Sequence, residues 1–173
     1  MQPTHSSRRI LLPVKGWFIA ISFTFALFLN LIPVGRMPFL PDWIALTLAF
    51  WCVREPLRVG MGAAFVLGVA MDVADGSVMG QHALAYVLLA FAAAGLARRI
   101  LWFPLQQQAL HVLPLLLGTQ LLMLTTRMVG GADFPGFLYF ASSLVAALLW
   151  HPLTYLLLIP QFRPVERDEN RPI

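Results

Sequence analysis

The sequence predicts an all-α membrane protein, built as a bundle of six transmembrane helices. Of its 173 residues, 59% are hydrophobic and only 12% are charged, and the mean hydropathy is +0.76. A soluble domain normally carries about 25% charged residues. The apolar runs are continuous and rich in Leu and Ala, whereas membrane-spanning strands alternate apolar and polar residues. Helices also satisfy their backbone hydrogen bonds within one segment, as lipid requires.

Six apolar runs define the predicted spans. The hydrocarbon core of a bilayer is about 30 Å thick, so a helical span needs about 20 mainly apolar residues. The second run is the shortest and covers only about 17 Å. We therefore expect neighbouring helices to shield it, or the helix to be tilted. The predicted transmembrane domain is residues 1–160, with spans at 17–32, 43–53, 59–74, 83–97, 109–129 and 137–159.

Prolines and polar residues mark the predicted connectors. The linker 33–41 holds three prolines and Gly35, so a helix cannot continue through it. A polar connector at 106–108 is expected to precede the fifth span, and His151-Pro152 is expected to kink the sixth. Residues 161–173 are charged and contain proline, which predicts a disordered cytoplasmic tail.

The basic residues predict the orientation of the chain. Ten of the twelve Lys and Arg residues lie at one set of span ends. The other set carries two basic and four acidic residues, namely Arg36, Arg127, Asp42, Asp72, Asp75 and Asp133. Because positive residues favour the cytoplasmic side, both termini are predicted to be cytoplasmic. The net charge of +4 is explained in this way without nucleic acid as a partner.

Known catalytic and metal-binding motifs are not found in the sequence. It contains no Gly-x-Ser-x-Gly, His-Glu-x-x-His or phosphate-loop motif. The single cysteine, Cys52, lies in an apolar run, and the four histidines lack metal-ligand spacing. Ser77 and His82 are close in sequence, but no third group can be assigned to them. We therefore predict no catalytic residue, no cofactor and no metal.

The stretch from Gly68 to His82 crowds carboxylates, glycines and a histidine between two apolar runs. Asp72 lies roughly 20 Å into the third span by helical rise. An ionisable group at such depth costs about 2–3 kcal/mol, so we expect it to have a specific role. Three possibilities stay open: an ion pair with Arg127 that would join spans 3 and 5, a bond to His82, or contact with water at a helix that ends early.

Small residues recur every four positions along the third span, at Gly60, Ala64 and Gly68. Residues at this spacing lie along one slowly drifting stripe of a helix. Such a stripe lets another helix approach closely. It predicts either a groove for a partner helix or ordinary internal packing of the bundle.

Two turns supply further candidates. Asp75-Gly76 is typical of a turn, which we expect to extend to Gly80, with Ser77 available to cap the next helix. Asp42 follows Pro41 at the start of the second span. A carboxylate at that position favours the positive end of the helix dipole, so a capping role is expected there rather than catalysis.

A series of motifs occurs in order along the second to fourth spans: Pro41-Asp42-Trp43, Trp51, Pro56, Gly60, Gly68-x-x-x-Asp72, Gly76, Gly80 and His82-Ala83. In their order and spacing, these residues resemble the MreD family of bacterial rod shape-determining membrane proteins, and the likeness covers nearly the whole chain. The family usually has Leu-like residues on both sides of the third-span carboxylate, where this chain has Met71 and Val73.

The resemblance implies a non-enzymatic scaffold of the cell-wall elongation machinery in the bacterial inner membrane. It implies binding to MreC, and through MreC to the SEDS glycan polymerase, the elongation transpeptidase and MreB filaments. It also implies a bundle similar to the substrate-binding S components of energy-coupling-factor transporters. The structural or partner-binding candidates are Pro41, Asp42, Trp43, Gly60, Gly68, Asp72, Gly76, Gly80, His82 and Arg127.

An alternative function is a small-molecule, vitamin-binding subunit of a membrane transporter. This function would need a polar cavity at the outer end of the bundle. Few polar residues are available to line one, and they are Asn30, Asp72, Gln81 and Gln120. A third possibility, an intramembrane enzyme, lacks an assembled site.

Overall fold

The computed structural model of the chain describes residues 14–33 and 39–161. Within these ranges every regular element is helical, as predicted. Short 3-10 turns at Phe137–Phe140 and Ile159–Gln161 extend the sixth helix at both ends. The six helices are α1 (Gly16–Leu31), α2 (Trp43–Arg54), α3 (Met61–Asp75), α4 (Gln81–Trp102), α5 (Leu105–Val129) and α6 (Ala141–Leu158).

Three of these helices are long and apolar enough to cross a membrane: α4, α5, and α6 with its flanking turns. The helices α1 and α2 are apolar but have only 16 and 12 residues, and α3 has 15. The prediction of six consecutive helices is confirmed. That all six span the membrane stays a prediction for α1, α2 and α3.

Two predicted boundaries are wrong. The fourth helix does not end at residue 97 but continues to Trp102, and the polar connector predicted at 106–108 lies inside α5. Arg and Gln are good helix formers, so polar residues at the end of an apolar run extend the helix rather than ending it. Pro104 lies at the N-cap position of α5 and separates the two helices. In α6, the helix continues through Pro152 without interruption.

The core of the bundle surrounds α2. Ten of its residues are buried, and it contacts α1, α4, α5 and α6. The ring centroid of Phe50 lies 5.0 Å from that of Trp51 and 5.9 Å from that of Trp150, and all three side chains are fully buried. A helix enclosed by protein does not need to match the bilayer thickness. Its short length is explained by this shielding, one of the two predicted reasons.

In contrast, α3 lies at the periphery and packs chiefly against α4. Gly68 faces the α4 backbone so closely that a Cβ added there would lie 2.3 Å from the Cα of Ala83. Gly60 has no atom within 4 Å of such a Cβ, and it lies at the N-cap of α3. The small-residue stripe therefore serves internal packing at the buried Ala64 and Gly68 and not at Gly60.

The antiparallel helices give the bundle two distinct ends. We call the end where α2, α4 and α6 begin the carboxylate end, because Asp42, Asp72 and Asp75 lie there. The opposite end, the arginine end, carries Lys15, Arg54, Arg58, Arg98 and Arg99. Of the predicted tail, residues 162–173 lie outside the described residues, as do Arg8, Arg9 and Arg36.

Candidate functional site

The carboxylate of Asp72 binds the turn and the first residues of α4. Its Oδ1 accepts hydrogen bonds from the backbone N–H of His82 at 2.8 Å and from Ser77 Oγ at 3.0 Å, and it lies 2.9 Å from His82 Nδ1. Its Oδ2 accepts from the backbone N–H groups of Gly80 at 2.9 Å and Ala83 at 3.3 Å. The side chain is buried. Asp72 therefore ties the end of α3 to the start of α4.

Two glycines shape the turn that makes this possible. Gly76 and Gly80 have φ values of +58° and +95°, a region that glycine enters without strain. The turn aims the unpaired N–H groups of the first turn of α4 back at Asp72. Gly80, the N-cap of α4, offers no side-chain cap. The predicted capping role of Ser77 is wrong, because its hydroxyl donates to Asp72, and Asp72 caps α4 from outside the helix.

His82 is the partner of Asp72. Its Nδ1 meets Asp72, and its Nε2 lies 3.7 Å from Asp75 Oδ2. Among residues 14–33 and 39–161, Asp72 forms no ion pair with Arg127, so the postulated link between spans 3 and 5 is not found. Contact with water is also excluded as the main role, because Asp72 is only 4% exposed.

A second carboxylate, Asp42, joins three helices at the same end. Its Oδ1 accepts from the backbone N–H of Ala45 at 3.0 Å, which is the predicted N-cap of α2. The same oxygen accepts from Asn30 Nδ2 of α1 at 3.0 Å, and Asn30 Oδ1 accepts from the backbone N–H of Trp43 at 2.9 Å. The hydroxyl of Tyr86 on α4 donates to Asp42 Oδ2 at 2.7 Å.

The helix α4 connects the two carboxylates. His82 and Tyr86 lie one turn apart, with ring centroids separated by 5.8 Å, and each contacts the carboxylate of a different helix. The roles of Asn30 and Tyr86 were not predicted. One signal was present in the sequence: residues four apart on a helix share a face, and Tyr86 follows His82 at that spacing.

A cavity of about 670 Å³ opens among these residues at the carboxylate end. It is bordered by α1, α2, the turn between α3 and α4, and the facing parts of α5 and α6. Of the four polar residues expected to line a cavity in a vitamin-binding subunit, Asn30, Gln81 and Gln120 line this one and Asp72 does not. Its polar lining includes Asn30, Asp75, Gln81, Thr119, Gln120 and Arg127.

Two glutamines of this cavity differ in their hydrogen bonding. Gln120 Nε2 donates to the carbonyl of Tyr139 at 2.6 Å and to Ser142 Oγ, and its Oε1 accepts from Ser143 Oγ at 2.5 Å. Gln81 is 5% exposed, and its Oε1 has no hydrogen-bond partner among the described residues.

The structure supplies a third group beside Ser77 and His82, namely Asp72, but the arrangement is not that of a catalytic triad. In such a triad the nucleophile and the carboxylate contact opposite nitrogens of the histidine ring. Here Ser77 Oγ lies 3.4 Å from Nδ1, the same nitrogen that meets Asp72. The cluster anchors a turn. Within the described ranges, no group of three His, Cys, Asp or Glu side chains could hold a metal ion.

The remaining predicted residues are divided between the two ends. Pro41 and Arg127 line the cavity, and Trp43 packs against the core beside Asp42. Gly60 lies at the arginine end, so the structure does not bring it together with the others.

The order of the helices and the residues at the carboxylate end can be compared with known proteins. The family model of rod shape-determining protein MreD matches residues 11–159. The chain belongs to the MreD family. The rod shape-determining protein MreD of Haemophilus influenzae is 38% identical over 74 residues, which make up 41% of this chain and 46% of that relative. The aligned region thus covers less than half of the relative's length. No solved structure matches the chain.

Both the family model and the relative are described as rod shape-determining proteins. Membership of the family agrees with the three membrane-length helices, and the protein is a membrane protein. The residues that carried the resemblance lie in the matched region, between 41 and 83.

Proposed function

We propose that this MreD-family protein is a non-enzymatic membrane scaffold of the cell-wall elongation machinery. In this proposal it binds MreC, and MreC links it to the SEDS glycan polymerase, the elongation transpeptidase and MreB. The observation that carries the proposal is the match of the family to residues 11–159, nearly the whole length of the helical bundle.

The bonding of two carboxylates, the buried Asp72 and the partly buried Asp42, supports a scaffold role. Asp72 is bonded to the turn and the start of α4, and Asp42 is bonded to α1, α2 and α4. Both carboxylates therefore hold the protein's own helices in place instead of facing a reacting group. A bundle held in one arrangement offers a partner helix a constant surface.

The proposed location is the bacterial inner membrane, with both termini in the cytoplasm. The support is the charge difference between the two ends of the bundle. Five of the six described Lys and Arg residues lie at the arginine end, which the positive-inside rule assigns to the cytoplasm, and only Arg127 lies at the other end. The carboxylate end and its cavity then face the outside of the cell.

Purification from native membranes tests the scaffold proposal. After crosslinking, the tagged protein is expected to recover MreC. The matched variant is Asp72→Asn, which keeps the size of the side chain but removes its charge and changes its bonding to His82. We expect this variant to show a lower protein level or less MreC. Recovery of an ATPase module without MreC would contradict the proposal.

The cavity favours one second candidate, a small-molecule-binding subunit of a membrane transporter. Its volume of about 670 Å³ lies within the range of small-molecule sites. Depletion of the protein separates the two functions. A scaffold predicts that rods become spheres, whereas a transporter subunit predicts an unchanged shape and a new requirement for the transported nutrient.

A further inference from the structure

The cavity at the carboxylate end contains a polar group that the fold leaves without a partner. Gln81 lies in the first turn of α4, lines the cavity and is 5% exposed, yet its Oε1 accepts no hydrogen bond from the described residues. Buried polar groups are nearly always hydrogen-bonded, so each exception requires an explanation. The neighbouring Gln120 shows the usual state, since both ends of its amide are bonded.

The charges around the cavity do not select an ion of either sign. Asp42 and Asp75 line it together with Arg127, so an anion and a cation each meet both an attractive and a repulsive group, and a neutral ligand meets no repulsion. The same cavity also has hydroxyl groups on its wall, such as Thr119 and Ser142, beside apolar side chains. A wall of this kind matches a small neutral molecule with several hydroxyl groups, because a hydroxyl both donates and accepts.

The unpartnered amide leads to the same class of ligand. A half-turn of the Gln81 amide exchanges its oxygen and nitrogen. The missing partner of Gln81 is therefore a hydrogen-bond donor in one orientation of the amide and an acceptor in the other. A ligand hydroxyl satisfies both arrangements. A cavity of about 670 Å³ also lies within the size range of sites that hold small molecules.

We propose that the cavity binds a small uncharged sugar, with a ligand hydroxyl or amide N–H bonded to Gln81. Asp72 itself does not line the cavity, whereas its partners Ser77 and His82 do, and the proposal leaves their bonds to Asp72 in place. The proposal goes beyond the scaffold role and does not require MreC. Only the choice of probes rests on the proposed place in wall elongation, since an N-acetylated sugar carries both hydroxyl and amide groups.

Equilibrium dialysis on the purified full-length protein in lipid nanodiscs tests the proposal. The probes are N-acetylglucosamine, N,N′-diacetylchitobiose and glucose, with glutamate and lysine as charged comparisons. We expect saturable binding of at least one sugar and none of the charged molecules. Gln81→Leu is expected to weaken sugar binding roughly tenfold, which corresponds to the loss of one good hydrogen bond to the ligand.

Two further variants separate a ligand contact from a general effect on folding. Thr119→Val removes a hydroxyl from the cavity wall at nearly constant volume and is expected to weaken binding. Gln108→Leu removes an equally buried glutamine that does not line the cavity, and it is expected to leave binding unchanged. These comparisons are made on the protein that elutes as a folded monodisperse species.

Three outcomes would overturn the proposal. The first is the absence of saturable sugar binding, which would mean that the cavity holds only water. The second is sugar binding that Gln81→Leu leaves unchanged. The third is no sugar binding together with a loss of MreC recovery in Gln81→Leu, which would make the cavity a site for a protein segment. Because MreC recovery is measured separately, failure of sugar binding leaves the scaffold proposal to its own test.

Discussion

The two ends of the bundle differ in how they treat polar side chains. At the carboxylate end, Asp42 and Asp72 are bonded by backbone N–H groups and by side chains of α4, beside a cavity. Within the described residues, the half nearer the arginine end is a closely packed aromatic core with two buried amides, Gln108 and Gln161. Gln108 donates to the carbonyl of Phe103 at 2.9 Å and accepts from Trp150 Nε1 at 3.4 Å.

The charged groups at the arginine end face outward. Arg58 and Glu55 form a partly exposed pair at 3.8 Å, and such pairs contribute little to stability. The comparison teaches that charge has two functions in this protein. At the arginine end it lies near the surface, where we propose that it sets orientation, whereas at the carboxylate end the bonded carboxylates position helices.

The largest expected effect is an all-or-none difference in labelling between the two ends. Leu57 is fully exposed at the arginine end, and Met79 is 84% exposed at the carboxylate end. In a Cys52→Ala background, a membrane-impermeant maleimide added to spheroplasts is expected to modify Met79→Cys. It is expected to modify Leu57→Cys only after the membrane has been opened. The reverse pattern would invert the proposed orientation.

Truncation of Asp72 or Asp42 should have the next largest effect. Asp72→Ala leaves three backbone N–H groups and His82 without their acceptor, so we expect a loss of about 3–5 kcal/mol in the free energy of unfolding. Asp42→Ala removes a cap and the partner of Tyr86, and about 1–2 kcal/mol is expected. Thermal unfolding in detergent ranks the two variants. Equal losses would show that the bonds of Asp72 contribute no more to the free energy of unfolding than those of Asp42.

A pair of glycines on α3 tests the close approach of α3 to α4. Gly68→Ala forces a Cβ against the backbone of Ala83, so we expect it to destabilise the protein by about 1–3 kcal/mol. Gly62 lies on the same helix with no atom within 4 Å of an added Cβ. Gly62→Ala is expected to be neutral or to stabilise by up to about 1 kcal/mol. Unfolding midpoints that fall equally in both variants would contradict the described packing.

The smallest expected effects come from two of the buried glutamines, Gln108 and Gln81. Gln108→Leu removes a hydrogen bond from Trp150 and leaves the carbonyl of Phe103 without its donor, so we expect a loss of about 1–2 kcal/mol. Gln81→Leu removes an oxygen that has no partner in the described part of the chain, so the unfolding midpoint is expected to stay the same or rise. A clear fall for Gln81→Leu would mean that its amide is already bonded.

Much of the fold could be predicted because hydrophobicity and helix signals are local. Both ends of α1 and α2 lie within two residues of the predicted positions, and so does the C-terminal end of α5. The N-terminal end of α5 lies earlier than predicted, at Leu105. The errors lie where polar residues continue a helix beyond its apolar run, as at Arg98 and Arg99. Composition marks where lipid contact ends, and a helix does not have to end there.

The site was predicted only in part. Asp72 and His82 were named as candidates, and the choice between His82 and Arg127 stayed open because both lie at a similar depth. The structure brings His82 close because the Gly76 and Gly80 turn folds α4 directly back against α3. Neither the role of Tyr86 nor that of Asn30 could be read from one helix alone, since their partner Asp42 lies on another.

By itself, the sequence determined that this is a helical membrane protein, the order of its helices and the uneven distribution of its charges. These properties depend on composition and on spacing along the chain, so no contact between distant residues is needed to establish them. The tertiary structure alone decided which group meets Asp72, that Asp42 joins three helices, and that Gln81 and Gln120 share one cavity. The contact with Asp72 depends on the left-handed glycine turn and on the close approach of α3 to α4. The others depend on the packing of helices that are far apart in sequence.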